Sequence, residues 1–245
     1  MYSQISSNKR KSIFLVTIFI AIILLLGWTM DQYYDGQGAG ILIAVVISFF
    51  STLISYFAGD KIALGISGAQ PIAKEQNPYL YRLVENLCIT AGLPLPKIYL
   101  IPDAALNAFA TGRDPAHASI AVTQGLIDRL ENEELEGVIA HELSHIKNYD
   151  VRFMMLVAVL VGSIGLLAYW FRHSMLWGGG RRGGDRRGGG GNVLLLVGVV
   201  LAILSPLIAE LIKLAASRKR EFLADASGAL LTRYPEGLAR GDYFF

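Results

Sequence analysis

The sequence predicts an α+β membrane protein, mainly α-helical, with transmembrane helices and one small β-sheet. Three observations carry that prediction. Of 245 residues, 53% are hydrophobic and only 17% charged, against roughly 25% charged in soluble domains. The apolar residues gather in four runs, at 13–28, 41–58, 153–170 and 193–212, each near the ~20 residues that a helical span requires. Between the second and third runs, and after the fourth, the composition is that of a soluble domain in which helical and strand periodicities alternate.

The net charge of +2 is too small to argue for a nucleic-acid partner, and none is expected. The basic residues cluster at the ends of the apolar runs, which points to a lipid bilayer. The single cysteine, Cys88, excludes an intrachain disulfide and the Cys-rich zinc patterns. It reads as a small buried helix residue.

Residues 1–11 are polar and end in Lys9-Arg10-Lys11. The run at 13–28 exceeds the apolar part of a signal peptide and is followed by no A-x-A site, so it reads as an uncleaved anchor. Residues 31–40 form a short acidic turn before the run at 41–58. Lys9, Arg10 and Lys11 precede this hairpin, Lys61 and Lys74 follow it, and only Asp31 and Asp35 lie in its turn. The positive-inside rule then puts both of its ends in the cytoplasm.

Asn77-Pro78 reads as an N-cap with proline at the first helical position. Leu80, Leu83, Val84, Leu87 and Cys88 supply the helical period, Gly92 the stop, and Pro94 and Pro96 forbid continuation. Strands are predicted at 97–101, 107–111 and 119–123, with Gly112, Asp114 and Pro115 between the last two. A helix follows directly, with Asn132 as its N-cap and Glu133, Glu134 and Glu136 at the positive end of its dipole. Residues 178–191 are glycine and arginine with a single Asp185, and read as a flexible loop. The run at 193–212 is interrupted by Pro206 and carries Glu210, and a polar helix resumes at Lys213. The implied divisions are an N-terminal transmembrane hairpin at 1–68, a first soluble part at 69–152, a second hydrophobic hairpin at 153–212 and a second soluble part at 213–245.

The stretch that organises the chain is His141-Glu142-Leu143-Ser144-His145, which reads H-E-x-x-H. Residues four apart share one face of a helix, so both imidazoles reach one metal ion. Glu142, about 100° round the helix, is placed to hold a metal-bound water as general base. Leu135, Val138, Ile139, Leu143 and Ile146 form an apolar stripe, which makes the helix half-buried. A catalytic zinc takes three protein ligands and keeps a position for water. The best third ligand is Glu221, which shares a helix face with Asp225, four residues on. Asp225 would accept a hydrogen bond from the far nitrogen of His141 and so orient it. The alternative for this pair is a solvated face bridged to Arg218 or Arg220. His117 and His173 are weaker candidates for the third ligand.

The chain resembles the HtpX family of membrane-bound zinc endopeptidases. The likeness lies in the paired N-terminal spans, in Asn107-Ala108-Phe109-Ala110-Thr111-Gly112, in His141 to His145 followed by Lys147-Asn148-Tyr149-Asp150, and in Arg220-Glu221-Phe222-Leu223-Ala224-Asp225. It implies a zincin-like metalloprotease domain of gluzincin type, with one Zn2+ per chain on His141, His145 and Glu221, Glu142 as base, and Asp225 behind His141. It also implies a multi-pass protein of the bacterial inner membrane with its active site towards the cytoplasm, cleaving misfolded or damaged membrane proteins. Asn107, Ala108, Phe109 and Ala110 would form an edge strand beside the zinc, to which a peptide substrate adds as a further strand. An internal strand without substrate contact is the alternative.

Members of that family run on with a helix after a turn like Tyr234-Pro235-Glu236-Gly237-Leu238. Residues 241–245 do not read as helical, so a shortened or altered chain end is expected, and no residue is assigned to the oxyanion. Two other functions compete with proteolysis: a membrane scaffold or metal-binding protein without catalysis, and a transporter. A structural zinc would prefer four protein ligands, and four spans without an intramembrane charge pair are few for a transporter. His141 and Glu221 must meet at one ion, so the chain crosses the membrane between them an even number of times. Two crossings by 153–170 and 193–212 are expected, with 178–191 outside the cytoplasm, although Arg172, Arg181, Arg182, Arg186 and Arg187 oppose translocation. A shallow hairpin that does not cross is the alternative. Oligomeric state and cleavage preference are not written in the sequence.

Overall fold

The computed structural model describes residues 2–34, 37–178, 209, 212–213 and 217–241. The described elements are helices α1 (Tyr2–Tyr34) and α2 (Ala39–Ile66), strand β1 (Gln70–Pro71), helix α3 (Pro78–Ala91), strands β2 (Lys97–Ile101), β3 (Ala108–Gly112) and β4 (Ala118–Thr123), then helices α4 (Gln124–Arg129), α5 (Asn132–Lys147), α6 (Asp150–Gly178), α7 (Arg218–Thr232) and α8 (Pro235–Gly241). The fold is mostly helical with one small mixed sheet, as the composition and periodicities predict. The chain divides into two compact units. One comprises Met1–Leu15, Leu53–Leu156 and Ser217–Phe245, the other Val16–Thr52 and Val157–Ala216.

In the second unit, α1 and α2 meet backbone to backbone. A Cβ added to Gly27 would lie 2.4 Å from the Ala44 Cβ and 2.6 Å from the Gly40 carbonyl oxygen, so only glycine permits that approach. Asp31, expected as part of an acidic turn, instead lies in the last turn of α1 and caps the start of α2. Its carboxylate accepts from the N–H groups of Gly40 and Ile41 at 2.8 and 3.1 Å. Over Ile5–Trp28 and Ala39–Ile66 these two helices are long and apolar enough to cross a membrane. They leave large apolar side chains exposed, among them Leu25, Leu42, Ile43, Phe49 and Phe50, for which hydrocarbon is the suitable solvent. Residues 179–191, nearly all of the run at 193–212 including Pro206 and Glu210, and the last four residues lie outside the described residues, so the expected double crossing does too.

The first unit holds the sheet, in the order β1-β2-β4-β3. β2 and β4 are parallel, with Ile98 beside Ile120, while β1 and β3 are antiparallel to their neighbours. The parallel pair requires a crossover, which β3 and the turn at Pro115–His117 supply. The core between sheet and helices contains Leu80, Val84, Ile98, Ile120, Leu126 and Leu143. Helix α3 starts and stops as predicted. Asn77 accepts from the Leu80 N–H at 3.0 Å, and Gly92 is left-handed with φ +67°.

Several boundaries differ. β3 begins one residue later than expected, because the backbone of Asn107 is engaged by Thr123. Asn107 N–H donates to Thr123 Oγ1 and its carbonyl accepts from the Thr123 N–H, both at 3.0 Å. The short helix α4 separates β4 from α5. The N-cap of α5 is Glu131 rather than Asn132. Glu134 accepts from the Glu131 N–H at 3.0 Å, and the Asn132 side chain is taken by the Tyr79 hydroxyl at 2.6 Å. The residues read as a turn at 234–238 open helix α8. β1 has only two residues, one of them proline, and carries no sequence signal.

Candidate metal centre

Helix α5 presents H-E-x-x-H with its apolar stripe turned into the core. Leu135, Ile139, Leu143 and Ile146 are buried, His145 is buried beside them, and His141 is half-buried at the rim. Two helices lie close on α5. A Cβ added to Gly228 of α7 would sit 3.2 Å from the His141 backbone nitrogen, and one added to Gly137 of α5 would sit 2.7 Å from Leu238 Cα of α8. The first approach lets α7 deliver Glu221 to the histidines from 76 positions further along the chain.

His141 Nε2 and His145 Nε2 lie 3.1 Å apart. Glu221 Oε2 is 3.4 Å from the first and 3.6 Å from the second. The three residues form a group able to hold a metal ion, with ligand atoms within 4.8 Å of one another. A tetrahedral ion about 2.0–2.1 Å from its donors separates them by about 3.3–3.4 Å. The observed triangle brackets that value, and an N, N, O donor set of this kind suits zinc. The residues therefore fit the ion.

The outward nitrogens of both histidines meet carboxylates. His141 Nδ1 lies 2.8 Å from Asp225 Oδ1. His145 Nδ1 lies 3.2 Å from Asp150 Oδ2, and Asp150 is fully buried. Such contacts select the tautomer that turns Nε2 towards the centre. Asp150, the first residue of α6, is a residue of this cluster to which the sequence reading gave no role. In the sequence it appears only as the last residue of the run Lys147-Asn148-Tyr149-Asp150, and the available signal was a carboxylate five positions after the second histidine.

The electrostatics follow from this crowding. Burial alone would lower the His145 imidazole, but bonds to Asp150 and Glu221 overcome it and raise it to about 10. His141 is likewise raised, with burial opposed chiefly by Glu221 and Glu142. The two imidazoles hold Glu221 well below the usual carboxylate range. Glu142 is raised, because burial outweighs both imidazoles and the N–H of Ala110, which donates to Glu142 Oε2 at 2.8 Å.

A cleft of about 400 Å³ opens over the centre. Its lining includes Phe109, Ala110, Val138, Glu142, Met154 and Asp225. Of the four residues expected to meet substrate, Phe109 and Ala110 reach this cleft. Ala108 is buried in the core, and the backbone of Asn107 is bonded to Thr123. β3 has a neighbour on one side only among the described residues. Arg220, which the alternative reading of this helix put on a solvated face, is 6% exposed, with Nε 3.9 Å from Asp150 Oδ1 and its guanidinium over Phe153. His117 is bonded to Asp114 at 2.7 Å and is not a member of the metal-binding group. The His173 side chain is outside the described residues.

Residues 74–241 match the family model described as peptidase family M48. The chain is 45% identical over 238 residues to a protein from Dictyoglomus turgidum named Protease HtpX homolog, covering 97% of this chain and 77% of that protein. It is 41% identical over 243 residues to the protein of that name from Streptococcus thermophilus, covering 97% and 81%. Among solved structures it is similar to the crystal structure of S. mikatae Ste24p, with a TM-score of 0.51 and 20% identity. That match covers all of this chain and 59% of the Ste24p chain, and it concerns the fold.

Proposed function

This chain belongs to peptidase family M48, and on that ground we propose that it is a membrane metalloprotease whose ion is zinc, held by His141, His145 and Glu221. The observation that carries the zinc reading is the triangle of ligand atoms at 3.1, 3.4 and 3.6 Å, with Glu142 beside it on the same helix. Bound zinc supplies a Lewis acid for the scissile carbonyl and acidifies water. Asp225 and Asp150 hold the two imidazoles in register. Glu142 takes the proton of the attacking water at Oε1 and passes it to the leaving amine. Ala110 anchors Oε2 during both transfers, and burial keeps the carboxyl basic enough to accept.

The substrate would lie along β3. The Ala110 N–H points to Glu142 and away from β4. In the antiparallel register with β4, the backbone groups of Asn107, Phe109 and Thr111 then bond β4, while those of Ala108, Ala110 and Gly112 face the open edge. A peptide added at that edge is recognised by its backbone more than its side chains. Such selection suits an endopeptidase that clears misfolded or damaged membrane proteins. The proposed setting is the inner membrane, as a multi-pass protein with its active site towards the cytoplasm; the two apolar helices and their basic flanks support that reading.

The test is proteolysis of an unfolded model protein in detergent, with and without added zinc, by the parent chain and by Glu142→Gln. Zinc-dependent cleavage lost in the variant supports the assignment. Equal cleavage by both proteins favours a contaminating protease, and no cleavage by either favours a metal-binding scaffold.

A further inference from the structure

Helix α1 does more than anchor the chain: we infer that Asn8, in its second turn, is a positioning residue for the metal ligand His145, acting through Asp150. Asn8 is 1% exposed, an unusual burial for an amide near the start of an apolar helix. Its Nδ2 donates to Asp150 Oδ1 at 2.6 Å and to the Asn148 carbonyl at 2.9 Å. Both neighbours are acceptors only, so the amide nitrogen and not its oxygen must face them. One amide thus uses both of its hydrogens on the junction between α5 and α6. The opposite oxygen of the same carboxylate, Oδ2, meets His145 Nδ1 at 3.2 Å. The sequence of contacts is Asn8, Asp150, His145, and then the ion.

The junction itself needs such a clasp. Tyr149, between Asn148 and Asp150, has φ +61°. The left-handed region is unfavourable for an aromatic residue and persists only where surroundings over-determine it. Asn148 is fully buried, and Lys9 of α1 lies over the Tyr149 ring, 4.3 Å from its centroid. Residues 8 and 9 of α1 therefore grip residues 148–150 at three points. Without the sharp turn at Tyr149, α6 could not begin with its first carboxylate against His145.

The amide also explains itself chemically. A lysine at position 8 would neutralise Asp150 and weaken its hold on the imidazole. Asn8 instead fixes the orientation of the carboxylate with a neutral donor and adds no charge to a carboxylate that already faces His145 and Arg220, the latter with Nε at 3.9 Å. Through this contact the helix that enters the membrane becomes part of the support of the metal site.

The inference rests on the proposed metal reading, and the experiment separates the two. Zinc affinity is measured by chelator competition on the full chain in detergent, with the visible spectrum of the cobalt(II)-substituted protein as a second readout. The proteins are the parent, Asn8→Leu, Asp150→Asn, the double variant, and Ser12→Ala as a control one turn further along α1. Asp150→Asn should weaken zinc by roughly 10–100-fold, and Asn8→Leu, one contact further out, by about 3–10-fold with a changed cobalt spectrum. In the Asp150→Asn background the Asn8→Leu substitution should cost nothing further, because its route to His145 is already cut. Ser12→Ala should match the parent. The inference is overturned if Asn8→Leu binds zinc like the parent with an unchanged spectrum, or if its loss is equal in both backgrounds. If Asn8→Leu does not accumulate folded, Asn8→Ser, which keeps one donor, is held to the same two criteria. A parent chain that takes up no zinc overturns the metal reading instead.

Discussion

Glu142 Oε2 accepts a 2.8 Å hydrogen bond from the backbone N–H of Ala110. This one contact joins the proposed general base on α5 to the open edge of the sheet, where the substrate backbone would pair. It also makes the strand's geometry a determinant of the base's orientation.

Ala110→Pro removes that donor. Proline is tolerated on an edge strand where its nitrogen faces outward, so the fold should survive, as far-UV circular dichroism will show. Peptidase activity should fall by roughly 10-fold or more, in line with the loss of a hydrogen bond to a charged group, with zinc content unchanged. Parental activity in Ala110→Pro would remove the strand from the mechanism.

Glu142→Gln keeps shape and volume but cannot accept a proton. Turnover should drop at least ~100-fold, while metal analysis still finds one zinc per chain. A variant that turns over at the parental rate would show that another group is the base.

His145→Ala and Glu221→Ala should each lower zinc occupancy, because two ligands hold the ion poorly. Asp225→Ala, which leaves all three ligands in place, should weaken zinc by roughly 10–100-fold. Competition with a chromophoric chelator measures all three. Parental affinity in Glu221→Ala would move the third ligand elsewhere.

Gly137→Ala tests how α5 is held. The new methyl would sit 2.7 Å from Leu238 Cα and 2.8 Å from its nitrogen, both backbone atoms. Overpacking of this kind costs about 1–3 kcal/mol. A thermal melt in detergent should show a clear fall in midpoint. An unchanged midpoint would mean that α8 yields without loss.

Burial pushes the Cys88 thiol from an ordinary 9.0 up to about 11. The unfolded chain therefore loses this proton first. The stabilisation is fully present below the unfolded value and is lost as pH rises through the folded one, a difference of roughly 2–3 kcal/mol at about 1.4 kcal/mol per unit. Thermal unfolding followed from about pH 8.5 to 11 should show Cys88→Ala losing less stability than the parent. Parallel profiles would assign the alkaline loss to other groups.

The sequence by itself determined whatever depends on near neighbours along the chain. The spacing in H-E-x-x-H places both imidazoles on one helix face, and Asn77-Pro78 to Gly92 delimits α3 through its own caps. The lengths of the first two apolar runs mark α1 and α2, and the four-residue step from Glu221 to Asp225 puts both carboxylates on one side of α7. These are periodicities of a single helix, set by backbone geometry. Distant contacts were left for the tertiary structure to decide. Asn132 reads as a cap until Tyr79 takes its side chain and Glu131 serves instead. The Ala110 N–H finds Glu142 across 32 positions, and Asn8 finds Asp150 across 142. Asp150 itself has no role in the sequence beyond closing the run Lys147-Asn148-Tyr149-Asp150, until α1 and α5 close around it. A buried carboxylate must find donors wherever packing brings them. Which donors those are depends on how helices from opposite ends of the chain meet, and no local spacing records that.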